Sequence, residues 1–332
     1  MITTDISTAA PAIAALLAQA RQILLITHVN PDGDAIGSLL GVWHSLRASG
    51  KPAVALAPSA LPEYVCCLPG IEHVQVYQPG QELPACDLIW MMDTAALDRA
   101  GPVYEEHAPQ IHQLPIIVVD HHITNPGEGR INLIDAHAAS TAELLTLLLT
   151  AMHAPLPPEA ATALLLGITT DTQSFQTSSS GAQALRAAAL LLEAGADQQA
   201  IVRKLYYALP FGTAQLIGKS FNEIRREGGL IWTHVSQEMR ESSEDSEDAS
   251  DYITQMLQRI DGMQVAVLFK ERPDGTVKIS LRSIPDIDVA EIATLWGGGG
   301  HAQAAGATLP LGLQAAEATV LSVVREAIRQ AG

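Results

Sequence analysis

The apolar residues of this chain fall in short unbroken runs, and the polar residues that follow those runs are of few kinds. Ile23-Leu-Leu-Ile-Thr27 runs into His28-Val-Asn-Pro31-Asp32-Gly33-Asp34, Leu88-Ile-Trp-Met-Met92 into Asp93, and Ile116-Ile-Val-Val119 into Asp120-His121-His122. Short runs without alternation predict strands buried on both faces, the habit of a parallel sheet. Between them the spacing turns helical. Helices are predicted over 5–20, with Ser7 or Thr8 as N-cap, and over 35–48. Gly37 and Gly41, four apart, would let the second helix lie close to the sheet. Further strands are predicted at 52–56 and 74–76. Ser140-Thr-Ala-Glu143 has the form of a capping box ahead of a helix ending near Met152. Helices follow over 159–169, 181–194 and 197–207. Strands alternating with helices predict right-handed crossovers and an α/β fold, a parallel sheet with helices on both faces.

The pattern changes around 210–220, where a domain junction is expected. The first domain takes 1–210, with a helical linker at about 181–215, and a smaller α+β domain takes 216–332. In the second part a strand is predicted at 230–235. The acidic stretch 238–251 reads as a solvated loop, and a helix then runs to Ile260. Strands at 264–271 and 276–283 flank Arg272-Pro-Asp-Gly275, a hairpin turn signal. A short helix from Val289, four glycines ahead of His301, a small-residue turn over 302–306 and a last helix from about Gln314 complete the chain.

Composition narrows the partners. A chain of 332 residues is long for a single core. Its formal net charge of −17 repels long polyanions, so duplex nucleic acid is not an expected partner. Aromatic residues make up only 4%, too few for an extended groove of stacked bases. Cys66, Cys67 and Cys86 form neither a disulfide framework nor a thiolate metal pattern. With no basic, apolar leader and no run long enough to cross a membrane, a cytoplasmic protein without a membrane partner is expected.

The candidate chemistry lies where the strands end, which is where open α/β sheets bind ligands. His28, Asp32, Asp34, Asp93, His121 and Asp171 are carboxylates and imidazoles without sulfur, a donor set suited to Mn²⁺, Mg²⁺ or Fe²⁺. Taken singly, Asp32, Asp34, Asp93 and Asp171 suit turns and helix caps, and His28 suits a core. Those separate readings do not explain why all of them fall at one sheet edge, nor two adjacent imidazoles after an acid. Four carboxylates gathered there repel one another. Two divalent ions roughly 3.5–4 Å apart, sharing one carboxylate, balance that charge and suit phosphoester hydrolysis. His44, His73, His107, His112, His137 and His153 read as surface residues. Gly297–Gly300 ahead of His301 reads as a bare backbone that approaches an anion, with Arg282 as a second contact.

These stretches resemble a known family. His28-x-x-Pro31-Asp32-x-Asp34-x-x-Gly37-Ser38, Asp93, Asp120-His121-His122 and Asp171 match the four motifs of the DHH phosphoesterases. Gly297-Gly-Gly-Gly-His301-x-x-Ala304-Ala305-Gly306 matches their C-terminal DHHA1 domain. In size, and without transmembrane, sensor or CBS segments, the chain is most similar to the oligoribonuclease (nano-RNase)/pAp-phosphatase branch. The resemblance implies two domains with an active-site cleft between them and two Mn²⁺ ions, Mg²⁺ or Fe²⁺ being alternatives. One ion would take His28, Asp32 and Asp93, the other Asp34, Asp93, His121 and Asp171. Asp120 would orient His121, and His122 would face the scissile phosphate. Gly298, Gly299, Gly300, His301 and Arg282 would hold the substrate's far end. A homodimer is compatible with it. The implied reaction is two-metal hydroxide attack on short oligoribonucleotides, dinucleotides such as pApA, or nucleoside bisphosphates such as pAp. An inorganic pyrophosphatase, a single-strand exonuclease of the same superfamily and a catalytically silent nucleotide sensor are the competing readings. The chain departs from the family after Asp171. The order Thr172-Gln173-Ser174-Phe175-Gln176 replaces the usual Gly-Phe, and this bears on the contacts to the nucleotide.

Overall fold

The structure, a computed structural model, describes residues 1–243 and 249–331. Chain contacts divide it into two compact units, Met1–Tyr207 and Ala208–Gly332. The first unit contains, in order, β1 (Ile2–Thr3), α1 (Ile6–Gln19), β2 (Ile23–Ile26), α2 (Gly33–Ala48), β3 (Ala53–Ala57), β4 (Val74–Val76), β5 (Leu88–Met92), α3 (Pro102–Ile111), β6 (Ile116–Asp120), β7 (Ile131–Ile134), α4 (Thr141–Ala151), α5 (Pro158–Asp171), α6 (Ala182–Glu193) and α7 (Gln198–Tyr206). Its seven strands are all parallel, in the order β1-β7-β6-β5-β2-β3-β4. The chain moves outward from β2 through β3 to β4. It then returns to the other side of β2 and moves outward again from β5 to β7. The reversal lies between β2 and β5, so a crevice opens at their carboxyl ends.

Both sheet faces are covered, which is why the strand sequences do not alternate. Leu25, Trp90 and Val119 point into a core shared with α1, α2, α4 and α5. Leu24, Ile26, Ile89, Met91 and Val118 point the other way, toward Val103 and Ile111 of α3. Several local expectations are corrected. The α1 cap is Asp5, whose Oδ1 accepts from the Ser7 amide at 3.0 Å. Ser140 caps α4 as expected, accepting from the Glu143 amide, but Glu143 reaches back to the amide of Ala139. His44 and His107 are half-buried and bonded. His44 Nε2 donates to the Pro69 carbonyl at 2.8 Å, and His107 Nε2 lies 2.9 Å from both the Tyr77 hydroxyl and the Gln81 carbonyl. Strands β1 and β7 and helix α3 had no clear signal. The first is two residues long, and α3 carries Pro109 inside it.

Gly37 and Gly41 do not face the sheet. They face α5, where a Cβ on Gly37 would collide with the carbonyl oxygen of Ala163 and one on Gly41 would come within 2.5 Å of Leu164 Cγ. This stripe lets α2 and α5 lie backbone to backbone and so brings Asp34 and Asp171 to one place.

The second unit contains α8 (Phe211–Asn222), β8 (Arg225–Glu227), β9 (Leu230–Val235), α9 (Gln237–Glu241), α10 (Ser250–Gln258), β10 (Val265–Glu271), β11 (Val277–Ser283), α11 (Val289–Thr294), β12 (Gly299–His301), β13 (Ala304–Leu309) and α12 (Leu313–Ala331). The sheet order is β12-β13-β11-β10-β9-β8, with only β9 and β10 parallel. Helices α11 and α12 cover one face. On the other face, α8 and α10 cover β9 and β10. The hairpin at Arg272–Gly275 is present. The region 302–306 is not a turn throughout, because β13 begins at Ala304. Nor is 238–251 one solvated loop. Helix α9 extends to Glu241, α10 starts at Ser250, and Ser243 and Ala249 are buried. The remainder of that acidic stretch, 244–248, lies outside the described residues. Among the described residues, no helix is long and apolar enough to cross a membrane.

Replacing Gly37 with Ala should lower the stability of the protein by roughly 1–3 kcal/mol, because the added methyl meets α5 backbone rather than a movable side chain. Gly218→Ala, a helical glycine of α8 with nothing within 4 Å and no positive φ, serves as the control and should not destabilise. Urea unfolding of the two variants measures the difference.

Candidate active site

Each expected ligand of the first unit is placed by the end of a regular element. Strand β2 ends two residues before His28. Asp32 caps α2, its Oδ1 accepting from the amides of Asp34 and Ala35 at 3.0 Å each. Asp34 stands in the first turn of α2. Asp93 follows β5 at φ +58°, a left-handed conformation few non-glycine residues adopt. Its amide donates to the Val119 carbonyl at 3.1 Å, so the β5–β6 pairing holds the bend. His121 and His122 follow β6, and Asp171 is the last residue of α5.

These side chains converge. His28 Nε2 lies 3.7 Å from Asp93 Oδ2 and 3.9 Å from Asp32 Oδ1. His121 Nε2 lies 3.6 Å from Asp93 Oδ1 and 3.5 Å from Asp171 Oδ2. His28, Asp32 and Asp93 form one cluster and Asp34, His121 and Asp171 another, the donor atoms within each lying no more than 4.8 Å apart; Asp93 also clusters with His121 and His122. These spacings are too long for hydrogen bonds. They are close to the separation of neighbouring ligands around a cation held at roughly 2.0–2.2 Å. The His28 tautomer fits too: Nδ1 donates to the Val29 carbonyl at 2.9 Å, which turns the Nε2 lone pair toward the acids. The residues present therefore suit divalent cations on either side of Asp93.

The electrostatics describe the same need. Asp34 and Asp93 are almost completely buried. Burial, then the charges of Asp93, Asp171 and Asp32, push the Asp34 carboxyl far above the usual carboxylate range. Burial also pushes Asp171 up to about 6, although His121 pulls the other way. Burial works against charge on His28, but Asp93 and the Val29 carbonyl outweigh it and raise its pKa. Among the described residues, no Lys or Arg pairs with any of the four acids.

Asp120 does a different job from the one expected. It does not bond to His121. Its Oδ1 lies 2.7 Å from His122 Nδ1 and accepts from the His122 amide at 3.1 Å, while Oδ2 accepts from the Ala95 amide at 2.7 Å and from Asn125. Asp120 thus fixes both the His122 ring and the bend carrying Asp93. The bond to Asp120 raises the His122 pKa to about 9.

Sequence reasoning missed three side chains here. The Thr141 hydroxyl donates to Asp93 Oδ1 at 3.0 Å, and the amides of Thr141 and Ala142 donate to the two Asp34 oxygens at 2.6 and 2.9 Å. The capping box marked where α4 begins, but not that its N-terminus would be aimed at Asp34. Asn125, bonded to Asp120, gave no signal. Tyr64 is pushed up to about 12 by burial and by Asp32. The departure after Asp171 takes a definite form: Gln173, Ser174 and Phe175 all have positive φ (48°, 62° and 65°), the Phe175 amide donates to Thr172 Oγ1 at 2.9 Å, and its ring packs on the core. Arg282, Gly298, Gly299, Gly300 and His301 belong to the second unit. The last two glycines and His301 are not a free loop but β12, paired with β13.

Residues 22–168 match the N-terminal domain of the DHH family and residues 235–330 match the DHHA1 domain. The bifunctional oligoribonuclease and PAP phosphatase NrnA of Thermus thermophilus is 34% identical over 312 residues, covering 93% of this chain and 91% of that protein. The chain belongs to the DHH/DHHA1 phosphoesterases. An exopolyphosphatase-related protein from Bacteroides fragilis has the same fold, with a TM-score of 0.84 at 24% identity over 97% of this chain and 96% of that one. RecJ from Thermus thermophilus, in complex with Mn²⁺, shares the fold more distantly, with a TM-score of 0.54 at 16% identity over 98% of this chain and 55% of that one. DHH phosphoesterases are metal-dependent, and the His/Asp clusters around Asp93 are groups that could hold a metal ion.

The raised carboxyl pKa values fix a sign. A folded state whose acids bind protons more tightly than the unfolded chain is stabilised below the unfolded pKa, and loses that stability as pH rises through the folded value. In chelator, the melting temperature should therefore rise as pH falls from about 7 to about 5, across the pKa of Asp171. Divalent metal should reverse the slope, since protons then compete with the ion. Melting curves with and without Mn²⁺ at each pH test this.

Proposed function

We propose that this hydrolase releases mononucleotides from short oligoribonucleotides, including dinucleotides such as pApA, and AMP from pAp. The observation that carries the reading is Asp93, buried and grouped with His28 and Asp32 on one side and with His121 and His122 on the other, His121 in turn clustering with Asp34 and Asp171. It is supported by the 34% identity to an oligoribonuclease and PAP phosphatase along nearly the whole of both chains.

Two Mn²⁺ ions, with Mg²⁺ or Fe²⁺ as alternatives, would be held by His28, Asp32 and Asp93 and by Asp34, Asp93, His121 and Asp171. When bound, such a pair acidifies a water nucleophile and offsets charge on the phosphate oxygens. The chain's own residues do the rest. His122 carries its proton at neutral pH, locked through Nδ1 to Asp120, and presents its Nε2 edge to the phosphate or leaving oxygen. Thr141 and the α4 amides hold the Asp93 and Asp34 carboxylates in place through hydrogen bonds to their oxygens. In the second unit, Arg282, Gly298, Gly299, Gly300 and His301 contact the terminal phosphate or base of the substrate.

Asp93→Asn should lower the rate of mononucleotide release from a diribonucleotide by at least about 10³-fold while leaving the protein folded, because the shared ligand loses its charge. Quantified chromatography of products measures this, and a variant within tenfold of wild type would remove Asp93 from the centre of the mechanism. In a panel at fixed Mn²⁺, dinucleotides and pAp should release product and inorganic pyrophosphate should not. Preferential hydrolysis of pyrophosphate would reassign the activity.

A further inference from the structure

The open part of the second unit's sheet has an order that the terminal contacts at Arg282 and His301 do not use up. Helices α8 and α10 cover β9 and β10, and α10 reaches β11, whose Lys278, Ser280 and Arg282 stay partly exposed. On the uncovered face the strand register sets up three rows. Arg282, Ala304 and His301 are paired in one row, Ser280, Gly306 and Gly299 in the next, and Lys278 and Thr308 in the third. A side-chain-poor trough thus lies between two polar ends. Lys278 stands four residues from Arg282 along β11, about 13 Å in an extended strand.

The third row lines a groove of about 390 Å³ formed by Lys278, Thr308, Gly299, Gly306 and Trp296, among others. Three features point to a ligand. The Lys278 side chain has no hydrogen-bond or ion-pair partner among the described residues, in a chain with only 19 Lys and Arg against 36 acids. Gly299 is not required by its own surroundings. A Cβ on Gly298 or Gly300 would strike the β13 backbone, but one on Gly299 would meet nothing within 4 Å. Its bareness leaves room for a substrate chain to continue from the terminal contacts, to which Gly299 belongs, toward Lys278. Trp296, at the wall of the groove, is also the only one of the four tryptophans that is not buried.

We infer that this groove is a second phosphate subsite, in which Lys278 and Thr308 hold an internucleotide phosphate of trinucleotides and longer chains. The inference rests on the oligoribonuclease reading above and makes Lys278 a determinant of substrate length. The spacing fits: about 13 Å spans roughly two backbone repeats of an extended strand, so one phosphate at Arg282 and one at Lys278 belong to one short chain. A flat indole beside a cation suits the base that follows.

The test uses the full Mn²⁺-loaded chain and two probes, a 5′-phosphorylated diribonucleotide and a 5′-phosphorylated triribonucleotide, of which only the second carries a third phosphate for Lys278. Lys278→Ala should lower the ratio of triribonucleotide to diribonucleotide kcat/KM by about tenfold, the loss expected for one charge-assisted contact, and Lys278→Arg should restore it. A merely structural role would lower both rates together, so an unchanged ratio overturns the proposal. Binding is read separately from the fluorescence of Trp296, using a triribonucleotide with phosphorothioate linkages that resists cleavage. It should quench the emission, and Trp296→Phe should abolish the quench. Absence of a length-dependent quench also overturns the proposal. Should the wild type cleave neither probe, the oligoribonuclease reading fails, and the quench still decides whether the groove binds a short chain.

Discussion

Four carboxylates meet at the end of a buried sheet with no lysine or arginine paired to any of them among the described residues. That repulsion is the constraint around which the first unit is arranged. It is met locally in three ways. The N-terminus of α4 donates two amides to Asp34, Thr141 donates its hydroxyl to Asp93, and two imidazoles stand 3.5–3.9 Å from the acids. None of these removes the need for a cation, because Asp34 and Asp171 still hold protons more tightly than free carboxyls do. The fold tolerates this arrangement through contacts made elsewhere. The glycine stripe of α2 packs against α5, and β5 and β6 pair closely enough to hold Asp93 in a left-handed bend.

A division of labour follows within the Asp-His-His stretch. His121 turns its Nε2 to Asp93 and Asp171. His122 turns its Nδ1 to Asp120 at 2.7 Å, with Asp93 Oδ1 at 3.6 Å; the bond to Asp120 raises the His122 pKa to about 9. The same Asp120 carboxylate holds Ala95 and hence the loop beyond Asp93. One buried acid therefore couples the metal-binding bend to the imidazolium, and disturbing it should move both.

Much of this was legible in the residues, for a physical reason. Strands buried on both faces must be uninterrupted apolar runs, so β2, β5 and β6 announced themselves, and the polar residues at their ends had to share the sheet's carboxyl edge. Relations between elements were not legible. Nothing local says that Gly37 faces a helix rather than the sheet, that Asp120 chooses His122 over His121, or that Thr141 reaches Asp93. Those choices depend on the packing of α2, α4 and α5. In the second unit, four glycines ahead of His301 suggested a bare backbone approaching an anion. Gly299 and Gly300 lie in the edge strand of a hairpin: a Cβ on Gly298 or Gly300 would strike β13, Gly297 sits at φ +70°, and Gly299 alone of the four has neither constraint. The three consecutive left-handed residues after Asp171 include no glycine, so no sequence signal marked that turn.

The central claim is that Asp93 is the carboxylate common to two cations. Titrating the metal-free protein with Mn²⁺ under electron paramagnetic resonance tests it most directly. The account predicts two ions bound per chain, with the loss of free-ion signal and the exchange coupling expected of a closely spaced pair. A single uncoupled ion per chain, or a coupled pair that persists unchanged when Asp93 is replaced by Asn, would contradict it.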